Sequence, residues 1–354
     1  MTAVTRTAED DTVFGPVLDR LAADSSELLG VPWARSPIHS RMIRPFSYIA
    51  RTTLGVGDQS LSVYIKVTRV ANDAEPERIR QLAQRVARDY EVTRNVYGRM
   101  PHERGLSVVK PIAVFPDLLA IVTEEAVGET LLRRLERDLP RWRIGRFASL
   151  ERTLGQAGEW IRAFQSASAV GSGSDAGYVE TYIDHRLCRL VSHPAARFSP
   201  VDRDAVLTML RRDAAAVPSD QRVAVPIHAD LALANILVDG SRITVLDFAM
   251  TAAGAVYHDV THLYMQLGLL GLKPHYGMRA ATRLQDALLE GFGGAPASAP
   301  LFRLMLLQHV ACHYLTTVSH LGGLASRIYG ARVASRHLAW LRSYASGRSM
   351  GERT

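Results

Sequence analysis

The densest chemistry in the chain lies in IHADLALANILVDGSRITVLDF, residues 227–248, where His228 and Asp230 are followed by Asn235 and then by Asp247. Asp239-Gly240 between two apolar runs marks a tight hairpin, so these groups gather around one turn. A free carboxylate and two further oxygen donors suit a hard cation such as Mg²⁺. Phosphoryl transfer uses that set: a carboxylate to orient the attacking hydroxyl, an amide and a carboxylate for the metal, and little covalent chemistry from the protein. Were Asp230 and Asp239 only cap and turn residues, the apolar flanks LALANILV and ITVLDF would strand three polar groups.

Such groups need elements to hold them. Up to about residue 70 the pattern reads as strands. SYIARTTLGV leads into a Gly57-Asp58 turn and LSVYIKV, where Leu61, Val63, Ile65 and Val67 alternate with Ser62, Tyr64, Lys66 and Thr68. Gly55-Val56-Gly57 is read as part of that hairpin rather than as a phosphate cradle. Residues 75–100 carry helical spacing at Ile79, Leu82, Val86, Tyr90, Thr93 and Tyr97, and read as one amphipathic helix. VVKPIAVF and LLAIVTE are the next strands. Thr130 is an N-cap candidate, and helices dominate from there on, interrupted by the 227–248 hairpin. The expected architecture is α+β and bilobal, with a β-rich lobe over 1–124 and a helical lobe over 125–354 that carries the hairpin.

One acid on the long helix stands out. At 100° per residue from Ile79, Asp89 falls inside the apolar arc of Leu82, Val86, Thr93 and Val96, while Glu91 points about 120° away. An acid within an apolar stripe calls for a buried cationic partner.

HADLALANILVDGSRITVLDF resembles the catalytic segment of the aminoglycoside phosphotransferase and choline kinase-like family, which has the protein-kinase-like fold, and the order of lobes agrees over roughly residues 40–265. The resemblance implies that Asp230 is the catalytic base, that Asn235 and Asp247 bind Mg²⁺, and that His228 is a structural member of the catalytic loop. It implies that Lys66, one of only three lysines in the chain, reaches the α and β phosphates of ATP. The partner of that lysine is usually Glu in the family, so Asp89 is a shorter substitute. IVTEEAVGETL resembles the hinge, with the adenine edge meeting backbone at Glu124 and Ala126. The expected phosphate loop, near HSRMIRPF, has no glycine, and Ser40 and Arg41 could serve instead. Ala249 stands at the third position of the Asp247 motif where protein kinases have Gly, so no flipping activation segment is expected. His258, Asp259 and His262 invite a zinc reading, but the family places a structural Asp at the position of Asp259.

Composition narrows the remaining choices. The 354 residues are 47% hydrophobic and 22% charged with a net charge of +7, the values of a folded globular protein. Cys188 and Cys312 are too far apart in sequence for a local metal or redox pair. The acidic start MTAVTRTAEDD lacks a signal-peptide core, and no apolar run reaches about 18 residues, so a cytoplasmic protein is expected. The leading function is an ATP- and Mg²⁺-dependent kinase acting on a small-molecule hydroxyl such as a sugar, amino alcohol or antibiotic, with no nucleic-acid partner. The alternatives are a catalytically inactive, nucleotide-binding protein of the same fold, and a metal-dependent phosphohydrolase built on His258, Asp259 and His228. The stretch YVETYIDHRLCRLV, with Tyr182, Asp184, His185, Arg186 and Arg189, is a candidate acceptor wall. Arginines without carboxylates toward the C-terminus argue against a polycationic acceptor. Arg327, Arg332, Arg336 and Arg342 are candidates for a basic surface that meets an anionic acceptor or an anionic membrane. Oligomeric state is not legible.

Overall fold

The computed structural model describes residues 12–30, 32–33, 37–56, 59–71, 73–140, 146–167, 176–294, 297–319 and 324–347. The chain forms two compact units, Met1–Gly128 with Thr244–Thr251, and Glu129–Ile243 with Ala252–Thr354. The expected α+β class holds, with strands concentrated in the first unit and helices in the second.

The first unit is built on a five-stranded sheet of β1 (Ile38–Ile43), β2 (Ser47–Val56), β3 (Gln59–Thr68), β5 (Pro111–Phe115) and β6 (Ala120–Glu124), in the order β1-β2-β3-β6-β5. The period-two alternation of β3 does what the sequence predicts: Val63, Ile65 and Val67 are buried, and Tyr64 and Lys66 face the other side, half-buried. The Gly57-Asp58 turn lies outside the described residues. A short β4 (Leu106–Val108) precedes β5, and Val109 N–H donates to the carbonyl of Val245 at 3.0 Å, tying in the returning segment 244–251.

Helices, not strands, open the described chain. α1 (Gly15–Ala23) and α2 (Ser25–Leu29) precede the sheet. Phe14, Val17, Leu18 and Leu21 recur at i, i+3, i+4 and i+7 and share one buried cluster with Leu54, Ile65 and Phe115. The long helix α3 (Pro76–Tyr97) starts on a proline, whose missing N–H costs nothing there. It buries Leu82, Val86, Thr93 and Val96. Ile79 departs from the expected stripe and is 41% exposed, because the first turn buries no residue.

In the second unit, β7 (Glu129–Thr130) pairs antiparallel with β9 (Ile236–Asp239). β9 turns at Gly240, whose φ of +55° needs a residue without a Cβ penalty, into β10 (Arg242–Val245). Thr130 caps α4 (Leu131–Asp138), its hydroxyl accepting from Arg133 N–H at 3.2 Å. The remaining helices are α5 (Phe147–Ala167), α6 (Ala176–Ser192), α7 (Pro200–Ala216), α8 (His258–Leu270), α9 (Met278–Phe292), α10 (Pro300–Ser319) and α11 (Leu324–Ala345). Among the described residues, no helix is long and apolar enough to cross a membrane.

α5 supports the hairpin directly. Gln156 donates to the carbonyl of Ser241 at 2.8 Å, and Gln165 to that of Val256 at 2.8 Å. α9 lies so close behind it that a Cβ on Gly158 would overlap backbone atoms of Leu288 and Phe292, and one on Gly291 would overlap Gly155. We therefore expect Gly158→Ala to lower the unfolding free energy by about 2 kcal/mol, since backbone overlap outweighs the roughly 1 kcal/mol that alanine gains in helix propensity. Urea unfolding checks this, and an unchanged or raised midpoint would contradict it.

Candidate active site

The loop after β8 (Val225–Ile227) is held by one buried carboxylate. Asp259, in the first turn of α8, is wholly buried and accepts His228 N–H at 2.7 Å and Ala229 N–H at 3.1 Å. Ala229 takes a φ of +63°, a left-handed conformation that costs a non-glycine residue roughly 1–2 kcal/mol. Donating two adjacent amides to one carboxylate compensates that strain. Seven residues further along α8, Gln266 Oε1 accepts Leu233 N–H at 3.0 Å, so one helix fixes the loop at both ends. Asn235 donates Nδ2 to the Asp230 carbonyl at 3.0 Å. Its Oδ1 accepts no hydrogen bond among the described residues.

Burial pushes the Asp259 carboxyl up, but His258 and the His228 amide outweigh it and hold it below its ordinary value. The proton pattern around it is determinate. Since a carboxylate only accepts, His258 Nδ1 donates to Asp259 at 3.2 Å, Gln308 donates to His258 Nε2 at 3.3 Å, and His309 Nε2 donates to the His258 carbonyl at 2.8 Å. Gln266, Gln308 and His309 have no local sequence signal, because each acts on a group distant in the chain. His262 stacks on His309 at 4.7 Å between ring centroids. Among the described residues, no three His, Cys, Asp or Glu side chains are placed to hold a metal, so the zinc reading of His258 and His262 has no support.

Lys66 and Asp247 meet in the first unit, Nζ to Oδ1 at 2.8 Å. Asp247 also has a left-handed backbone, φ +65°, which sets its side chain apart from the run of β10. Asp89 lies on α3 within electrostatic reach of both, while Glu91 is exposed. Burial pushes the Asp89 carboxyl up to about 6 against the pull of Lys66, with Asp247 adding to the rise. The lysine therefore bonds Asp247 directly, and Asp89 acts on it through space.

The other named residues are positioned as follows. Glu124 ends β6, its N–H bonded to the Lys110 carbonyl at 2.8 Å and its carboxylate to Lys110 Nζ at 2.9 Å. Ala126 is half-buried in the coil that follows. Beside them Arg51 makes a bidentate pair with Glu125, at 2.9 and 2.7 Å, which the sequence does not reveal. Ser40 and Arg41 are on β1 opposite Arg51 and Ala50, ahead of a tight turn in which Arg44 N–H donates to the Ser47 carbonyl at 2.8 Å.

The four C-terminal arginines do not form one surface. Arg342 is paired with Asp202, Nε to Oδ1 at 2.8 Å. Arg327, Arg332 and Arg336 are exposed, but at 100° per residue Arg332 and Arg336 lie roughly 140° and 180° around α11 from Arg327.

A model of the phosphotransferase enzyme family matches residues 58–302, and the chain belongs to that family. No curated relative matches it. A thermostable mutant of an aminoglycoside phosphotransferase, in ternary complex with AMP-PNP and hygromycin B, is 14% identical over 92% of this chain and 99% of that one, with a TM-score of 0.55. The apo form of a thermostable mutant of the same enzyme gives 16% identity, 94% and 100% coverage and a TM-score of 0.52. A macrolide 2'-phosphotransferase from Brachybacterium faecium is 15% identical over 96% and 100% of the two chains, with a TM-score of 0.49. The first two likenesses show the kinase-like fold. The family match makes the chain a phosphotransferase.

The Asp89 carboxyl yields a pH prediction. Its pKa rises from 3.8 to about 6 on folding, so between those values the folded chain holds a proton that the unfolded chain has lost, and its contribution to stability falls as pH climbs through that window. Asp89→Asn removes the loss. Denaturant titrations at pH 4 and pH 7 should show the variant gaining about 2–3 kcal/mol on wild type across the interval. A constant difference would show that Asp89 titrates normally.

Proposed function

We propose that the chain transfers the γ-phosphoryl group of ATP, with Mg²⁺, to a hydroxyl of a small molecule. The observation that carries this reading is the Lys66–Asp247 ion pair, which joins the strand lysine to the carboxylate after the hairpin. The donor chemistry fits the metal: Asp247 Oδ2 and Asn235 Oδ1 are hard oxygens that accept no hydrogen bond among the described residues, and two protein donors are ordinary for an ion that takes its other ligands from phosphates and water. Bound there, Mg²⁺ would neutralise charge on the transferring phosphates.

Asp230 is assigned as the base. The acceptor oxygen forms a bond to the γ-phosphorus as the bond from that phosphorus to the bridging oxygen breaks; ADP departs with the electron pair, and the hydroxyl proton passes to Asp230. His228 and Ala229, tied to Asp259, fix where that carboxylate begins. Lys66 neutralises the α and β phosphates, and Asp89, within electrostatic reach of it, helps to hold it there. Glu124 and Ala126 offer backbone to the adenine edge. Every acid and amide the chemistry needs is present, so nothing favours an inactive protein of the same fold.

Asp230→Asn should leave Mg²⁺-dependent AMP-PNP affinity nearly intact while kcat falls by about 10²–10⁴. Asp247→Asn and Asn235→Ala should instead weaken the Mg²⁺ dependence of AMP-PNP binding, read by calorimetry. Retained turnover in Asp230→Asn, or unaltered Mg²⁺ dependence in both other variants, would refute these roles.

A further inference from the structure

The helical unit holds a cavity of about 450 Å³ between α6 and α10, a volume suited to a small metabolite. Tyr182, Arg186 and Arg189 line it from α6, and Cys312, Thr316 and Ser319 from α10.

Charge in α6 is sorted by face. Taking Glu180 as zero, Asp184 lies at roughly 40°, whereas Arg189, Tyr182 and Arg186 lie at roughly 180°, 200° and 240°. The acids pair away from the cavity, Asp184 with Arg203 at 2.7 Å and Glu180 with Arg211 at 2.8 Å. Among the described residues, Arg186 and Arg189 have no carboxylate partner. Arg186 lies over the Tyr182 ring, 4.8 Å from its centroid, and donates Nη2 to its hydroxyl at 3.2 Å. Its Nε is buried and has no hydrogen-bond partner among the described residues. A guanidinium fixed by stacking, with a buried donor left over, is prepared for an oxyanion and disfavours an ammonium group.

The same face of α10 runs from this cavity toward the α8 residues that support the loop of Asp230. From Gln308, which touches His258 beside Asp259, Cys312, Thr316 and Ser319 lie within roughly 80° around the helix, and Cys312 is about 6 Å along its axis.

We infer that this cavity is the acceptor site and that the acceptor carries, besides its hydroxyl, an anionic group, a carboxylate or a phosphate ester, held by Arg186 and Arg189. The inference rests on the phosphotransferase reading above and adds the class of substrate.

Two measurements test it. In the first, inorganic phosphate is titrated into chain saturated with AMP-PNP and Mg²⁺, so that the nucleotide site is filled. Binding is expected in wild type and should weaken at least tenfold in Arg186→Gln and in Arg189→Gln, with AMP-PNP affinity unchanged in both. In the second, ADP release is followed with glycerol, its amino analogue serinol, glycerate and glycerol phosphate. An anionic member should be used at least tenfold better, by kcat/KM, than the neutral and cationic ones, and that preference should vanish in Arg186→Gln. Equal or better use of glycerol or serinol, or phosphate binding that is absent or indifferent to both substitutions, overturns the anionic acceptor and leaves the phosphotransferase reading standing. Failure to bind AMP-PNP with Mg²⁺ overturns both.

Discussion

A dehydrated carboxylate that must be satisfied by fixed donors organises the functional loop. Asp259 is removed from water, and its charge persists because two successive main-chain amides and a histidine donate to it. Those amides belong to His228 and Ala229, so the residue before Asp230 adopts its left-handed backbone as part of the same arrangement. Gln308 and His309 in turn fix the tautomer and backbone of His258. The chain of dependence runs from α10 through α8 to the loop, and each link is a hydrogen bond whose loss would leave a buried polar group orphaned.

The first unit solves a different problem, holding a lysine in place beside two carboxylates. Lys66 has one carboxylate at bonding distance and a second within electrostatic reach. Burial pushes the pKa of the second, Asp89, up.

Legibility followed the range of the forces involved. The alternation of β3, the Asp239-Gly240 hairpin and the Thr130 cap depend on a few neighbouring residues and could be read directly. Helical phase likewise separated Asp89 from Glu91. The helical signal of Phe14, Val17, Leu18 and Leu21 was present but lay within a stretch expected to be strands. What was not legible involves distant partners. Nothing near residue 244 shows that 244–251 returns to the first unit, nothing near Gln266 or Gln308 names the group each one bonds, and the Arg51–Glu125 pair joins residues 74 apart. The near balance of charge in α6 concealed a segregation that only appears once its acids are seen to pair with α7.

Amide hydrogen exchange at His228 and Ala229 tests most directly whether the Asp259 carboxylate is the fixed point of the site. If it is, both amides exchange only through global unfolding, as slowly as the buried middle of α8. Exchange of either within seconds in the folded chain at neutral pH would mean that the loop opens freely and that its geometry is set elsewhere.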